Sequence, residues 1–87
     1  MLFRSRAFGA LAEDEERYAD LIKTLDAFIR LHGSVNAVAR DLFLHRNTVR
    51  QRLRRIAQLT GSRLGDPNDR LALQLALIGR DALQHLI

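Results

Sequence analysis

Cysteine and tryptophan are absent from this 87-residue chain, and proline occurs once. Without cysteine there is no disulfide and no thiolate metal site, as suits a reducing compartment. Phe3, Phe8, Tyr18, Phe28 and Phe43 are the only aromatic residues. Most are expected in the core, so no stacking platform for unpaired bases remains. No apolar run is long enough for a signal peptide or a membrane span. The five glycines come singly, which rules out a phosphate-cradling loop. His32, His45 and His85 lack the helical pairing that a metal requires. Ser34 has no base beside it, and no carboxylate pair is framed by a pocket. Neither catalysis nor a metal or cofactor is expected.

What is present suits one small domain. A chain of this length buries roughly 60–65% of its unfolded surface, enough for one modest core and no deep cavity. Hydrophobic residues are 47% and charged residues 28%, an ordinary globular balance. Residues 1–12 read as a linker stub following an N-terminal region that is absent here, and residues 13–87 as the domain. Formal net charge is +4, yet the stretch between Leu42 and Gly65 holds six arginines and no acid. That stretch is therefore +6 and the remainder net −2, with Glu13, Asp14, Glu15 and Glu16 clustered far away. A basic stripe on an acidic body is the electrostatic footprint of a polyanion-binding protein.

Four helices follow from periodicity and punctuation. Tyr18, Leu21, Ile22, Leu25, Phe28 and Ile29 recur at three- and four-residue intervals, predicting a first helix from about Glu13 to His32, stopped by Gly33. Ser34 is a good N-cap for a second helix over Val35 to Leu42, with Val38, Ala39 and Leu42 inward. Ala39 stands where two closely crossing helices need a small side chain. By spacing, the turn residue that is usually glycine is Phe43. Either the turn differs in geometry or a phenylalanine accepts positive φ.

A third helix is expected from His45 or Arg46 to about Leu59, ended by Gly61. Val49, Leu53, Ile56 and Thr60 share one face, and Asn47, Gln51, Arg54 and Gln58 point the other way. Arg52 leans toward the apolar stripe and is expected to pair with a carboxylate inside the fold. A last helix opens at Asp66-Pro67-Asn68-Asp69. Leu71, Leu75, Ile78, Ala82 and Leu86 are its expected core stripe. Leu73 and Leu77 lie nearly opposite, where they either meet a partner helix as dimer-interface candidates or are covered by the first helix.

A helix, a tight turn and an arginine-loaded helix have the spacing of a helix-turn-helix unit. Base edges are read from the N-terminal turns of such a helix. Arginine can grip guanine O6 and N7 with two hydrogen bonds, and asparagine or glutamine can do the same to adenine N6 and N7. Arg46, Asn47, Arg50 and Gln51 are the base-contact candidates. Ser34, His45, Thr48, Arg54 and Arg55 are the phosphate-contact candidates, with Asn47 or Thr48 alternatively capping the helix.

The string Leu44-His45-Arg46-Asn47-Thr48-Val49-Arg50-Gln51-Arg52-Leu53-Arg54-Arg55-Ile56, followed by Leu59-Thr60-Gly61, Asp66-Pro67 and Asp69-Arg70-Leu71-Ala72-Leu73, closely resembles the C-terminal helix-turn-helix domain of PucR-type transcriptional regulators. That family includes purine-catabolism and sugar-diacid regulators. Leu21 to Leu31 looks like the family's first helix, and Gly33-Ser34-Val35 like its entry to the motif. The likeness covers roughly residues 20 to 78. It implies an all-α, four-helix, Fis-like helix-turn-helix domain that binds double-stranded DNA. It also implies a dimeric, effector-responsive parent regulator, in the bacterial cytoplasm at the nucleoid, with its sensory region N-terminal to this piece. The family tolerates a residue other than glycine at the Phe43 position. It often carries tyrosine where this chain has Gln51, a departure that would change target preference if that position touches DNA. The competing reading is a helical dimerisation or protein-interaction module whose basic helix only confers solubility.

Overall fold

The computed structural model describes residues 16–86, and side-chain surroundings through residue 82. The expected linker stub, the helix start at Glu13 and the side chain of Leu86 lie outside what is described, and residues 16–18 form a turn, so the first helix begins later than expected, at Ala19. Four helices follow in order: α1 (Ala19–Arg30), α2 (Val35–Leu42), α3 (Arg46–Thr60) and α4 (Pro67–Leu86). The described residues contain no strand.

α1 is the hub. Ile22, Leu25, Ala27 and Phe28 bury its inner face, with Leu21 and Ile29 half-buried beside them. α2, α3 and α4 all pack against it, and α2 also packs against α3. The centre is apolar: Leu25, Val38, Val49, Ile56 and Leu73 are fully buried. Each such side chain contributes about 1.5–3 kcal/mol on burial, so these few residues supply much of the driving force in a domain this small.

Local chemistry sets the helix ends. Ser34 Oγ accepts from Ala37 N at 3.1 Å and caps α2. α1 closes through His32 and Gly33, at φ 58° and 80°. Gly33 N donates to Phe28 O at 2.8 Å. A Cβ on Gly33 would collide with the Arg70 guanidinium of α4. That side chain is flexible and can move aside, so it is the left-handed turn that calls for glycine here. Asp66 Oδ1 accepts from Asn68 N at 2.8 Å and opens α4 ahead of Pro67.

The turn between α2 and α3 resolves the question posed by Phe43. The residue adopts φ 57°, ψ 45°, in the left-handed region, while Leu44 N donates to Ala39 O at 2.9 Å. The helix-turn-helix geometry is kept, at the cost of strain in a residue that lacks glycine's freedom. The Phe43 side chain is 95% exposed, so no burial within the described domain offsets that strain.

α4 corrects the predicted facing. Its buried residues are Leu73, Ala76 and Leu77, whereas Leu71, Leu75 and Ile78 are 53%, 51% and 57% exposed and Ala82 is exposed. Leu73 and Leu77, proposed from sequence as dimer-interface candidates, belong to this chain's own core. The two stripes are nearly equally apolar, so periodicity could not choose between them. Burial against α1 makes the choice, since Leu73, Ala76 and Leu77 join the core cluster there, while local contacts only tie down the helix start. Arg63 N donates to Asp69 Oδ2 at 2.6 Å, and the Arg63 guanidinium meets Asp66 at 3.1 Å and Asp69 at 3.5 Å.

Two stability measurements check this description. Leu73→Ala should lower unfolding free energy in urea by about 2–5 kcal/mol, and Leu75→Ala by well under about 1 kcal/mol. Phe43→Gly should raise stability by roughly 1 kcal/mol, because glycine takes the left-handed conformation freely. A lower thermal midpoint for Phe43→Gly would contradict the strain assigned to that turn.

Candidate nucleic-acid interface

α3 is apolar along one edge and cationic along the other. Val49 and Ile56 are fully buried and Leu53 nearly so. Arg46, Asn47, Arg50, Gln51, Arg54 and Arg55 are all exposed, as are Ser34 and His45 outside the helix. Thr48 is half-buried and thus the least accessible of the residues singled out from sequence.

The α3 N-terminus is capped by a residue that sequence reasoning assigned only to phosphates. His45 Nδ1 accepts from Asn47 N at 3.0 Å. Neither Asn47 nor Thr48 is the cap. With Nδ1 acting as acceptor, a neutral His45 carries its proton on Nε2, which leaves that nitrogen as a donor. The signal for this role was position alone: His45 is the last extended residue before the helix. Asn47 Oδ1 instead accepts from Arg50 Nη1 at 3.4 Å, so two of the base-contact candidates touch each other.

The arginines fall into two groups. Arg52 turns back onto α1, as expected from its place beside the apolar stripe. Its guanidinium donates to Thr24 Oγ1 at 3.3 Å and lies 3.9 Å from Asp20. Thr24 is fully buried and itself donates to Asp20 O at 2.8 Å, so Arg52 completes a satisfied polar contact at the α1–α3 seam. Arg63 is held by Asp66 and Asp69. By contrast, Arg46, Arg50, Arg54 and Arg55 have no acidic partner among the described residues. Arg40, exposed on α2, is also unpaired among them. Its neighbour Asp41 places it outside the acid-free stretch of the sequence, yet Asp41 bonds Arg30 at 2.9 Å. That hydrogen bond, reinforced by the carboxylate charge, raises the Arg30 pKa above its ordinary value.

Charge and helix direction conflict at the start of α3. A helix N-terminus carries partial positive charge and favours acids, yet the first turn of α3 has none and begins with Arg46. Cations at that end raise the local positive potential where free backbone N–H groups already point outward. The arrangement is unfavourable for an isolated helix and favourable for one that meets an anion. The described residues contain no group of acids and histidines that could hold a metal. No described helix is long and apolar enough to cross a membrane.

A short capped helix, a tight left-handed turn and a second helix docked by one edge define a helix-turn-helix domain. The chain belongs to the PucR C-terminal helix-turn-helix domain family, whose model matches residues 21–78. This places it among the DNA-binding domains of transcriptional regulators. It is 48% identical over 56 residues to an uncharacterized protein of Mycobacterium tuberculosis, covering 64% of this chain and 14% of that protein. Identity to the purine catabolism regulatory protein of Bacillus subtilis is 35% over 75 residues, covering 86% of this chain and 14% of that protein. The carbohydrate diacid regulator of Escherichia coli is 47% identical over 57 residues, covering 66% of this chain and 15% of that protein. The chain thus spans only a small fraction of the length of these relatives. No solved structure matches it significantly.

The two groups of arginines should separate experimentally. Arg52→Ala should cost about 1–3 kcal/mol of unfolding free energy, because it strips a partner from the buried Thr24 hydroxyl. Arg54→Ala should stay within about 0.5 kcal/mol of the parent. Urea titrations followed by circular dichroism decide the matter, and equal losses in both variants would refute the division.

Proposed function

We propose that this chain binds double-stranded DNA in a sequence-specific manner by placing α3 in the major groove. Arg46, Asn47, Arg50 and Gln51 reach base edges from the first two turns, where a recognition helix lies deepest. His45, through Nε2, and Arg54 and Arg55 hold phosphates. Ser34 can do so too, because its oxygen accepts the capping bond while its hydroxyl proton stays free to donate. Thr48 contributes at the edge of this surface. The observation that carries the proposal is the division of α3: one edge is sealed in the core, and four exposed guanidiniums on the rest lack acidic partners among the described residues.

The domain acts as the C-terminal DNA-binding part of a longer PucR-like transcriptional regulator of the bacterial cytoplasm, with an effector-sensing region preceding it. Names of relatives support this setting. A further Bacillus subtilis relative, 34% identical over 67 residues, is a proline-responsive transcriptional activator. Gln51 in place of the frequent tyrosine gives the domain a target preference of its own, since glutamine can pair with adenine.

Selection of bound duplexes from a random pool tests the proposal and returns the recognised sequence. On the selected duplex, Arg46→Ala and Arg50→Ala should each cost roughly 1–3 kcal/mol and relax preference at one base position. Arg55→Ala should weaken all duplexes alike and reduce the steepness of the salt dependence. Failure to enrich any sequence at physiological salt would leave only non-specific attraction and refute the proposal.

A further inference from the structure

Phe43 combines two features that the stability of the free domain does not explain. Its backbone lies in the left-handed region, at φ 57° and ψ 45°, where a β-carbon is disfavoured. Its side chain, at 95% exposure, is the most exposed large apolar group among the described residues. A glycine would relieve the strain, and a polar residue would suit the solvent. Backbone strain that the fold itself does not require clusters at places that meet a ligand.

Its surroundings narrow what that ligand is. Phe43 lines a shallow hollow with Leu44, Lys23, Asp20, Asp41 and Arg52. The ring therefore stands at the beginning of α3, on the side of that helix from which Arg52 projects. Thr48 and Arg55, one helical turn to either side of Arg52, share that side of α3. Both are phosphate-contact candidates, so Phe43 heads the row that faces one wall of the groove. The two acids of the hollow are engaged, Asp41 with Arg30 at 2.9 Å and Asp20 with Arg52 at 3.9 Å. Lys23 is exposed and has no acidic partner among the described residues. Continuity with the cationic surface of α3 points to the duplex rather than to a protein partner.

We propose that the Phe43 ring packs against an apolar edge of the bound DNA, at the groove wall that Thr48 and Arg55 face. Two edges of this chemistry are available to it: the C5 methyl group of a thymine and the C–H face of a deoxyribose. The inference rests on the reading that α3 enters the major groove. It adds a contact made from outside the recognition helix and carrying no charge. Water leaves the ring only in the complex, so the strain of the turn is offset there and not in the free chain.

Tryptophan is absent from the chain, so Phe43→Trp installs a single indole at this position. Acrylamide should quench its emission freely in the free domain and lose most of that effect once a duplex selected from the random pool is bound. Phe43→Gly and Phe43→Asn both suit left-handed backbone and should fold at least as stably as the parent. Both should nevertheless bind the selected duplex roughly three- to tenfold more weakly. Their salt dependence should match the parent's, because no charge is lost. Exchanging each thymine for deoxyuridine identifies the edge. A methyl contact gives one position that weakens the parent and leaves Phe43→Gly unmoved, whereas a deoxyribose contact gives none. Unchanged affinity in both variants, or an indole as quenchable in the complex as outside it, would overturn the inference. If Arg50→Ala still weakened binding in that case, the reading of α3 would stand. An indole already shielded in the free domain would also overturn it, since the chain itself would then cover the ring. Failure to bind any duplex would remove the reading of α3 and this contact together.

Discussion

The seam between α1 and α3 is the constraint on which the remainder of this domain depends. Val49, Leu53 and Ile56 can be buried only if the helix turns one edge inward, and burying them commits the opposite edge to solvent. Hydrophobic burial has no direction of its own, but on a helix it acts as a rotational lock. The exposure of Arg46, Arg50, Arg54 and Arg55 is thus a consequence of where the apolar residues sit. Arg52 shows the same rule from the other side: placed next to Leu53, beside the inner edge, it is drawn into the seam and finds Thr24 and Asp20 there.

This lock also explains how a domain with modest net charge can present a concentrated field. Structural acids neutralise the cations that the fold itself uses, namely Arg30, Arg52 and Arg63. Exposed ion pairs of this kind add little to stability, because solvent screens them and side-chain ordering opposes them. Their larger effect is to keep carboxylates away from the arginines of α3. The field that remains is local, which matters because screening confines it to about 8–10 Å at physiological salt. Membership of a DNA-binding domain family and this concentrated positive field are consistent with each other.

Elements governed by local chemistry were legible in the chain itself. Ser34, Gly61 and Asp66-Pro67 marked the limits of α2, α3 and α4, because capping and left-handed stops depend on a few neighbouring atoms. The inward face of α3 was legible as well, since its polar and apolar edges contrast strongly. His45 as the cap of α3 was less so, because histidine is not among the residues that commonly fill that role. Phe43 illustrates a different limit. Its place in the motif was clear, but whether the turn would change shape or accept strain depended on how α2 and α3 pack, and packing kept the turn.

By itself, the sequence determined that the chain forms four helices, that a helix-turn-helix unit lies at their centre, and that one of them gathers arginine without acid. Those properties follow from spacing, caps and composition, which act over a few residues. The tertiary structure alone decided which arginines are spent inside the fold and which apolar face of α4 enters the core. Leu73 and Leu77 against Leu71, Leu75 and Ile78 was a choice between two nearly equal stripes. Only the surface offered by α1, remote in the chain from the residues it orients, could make it.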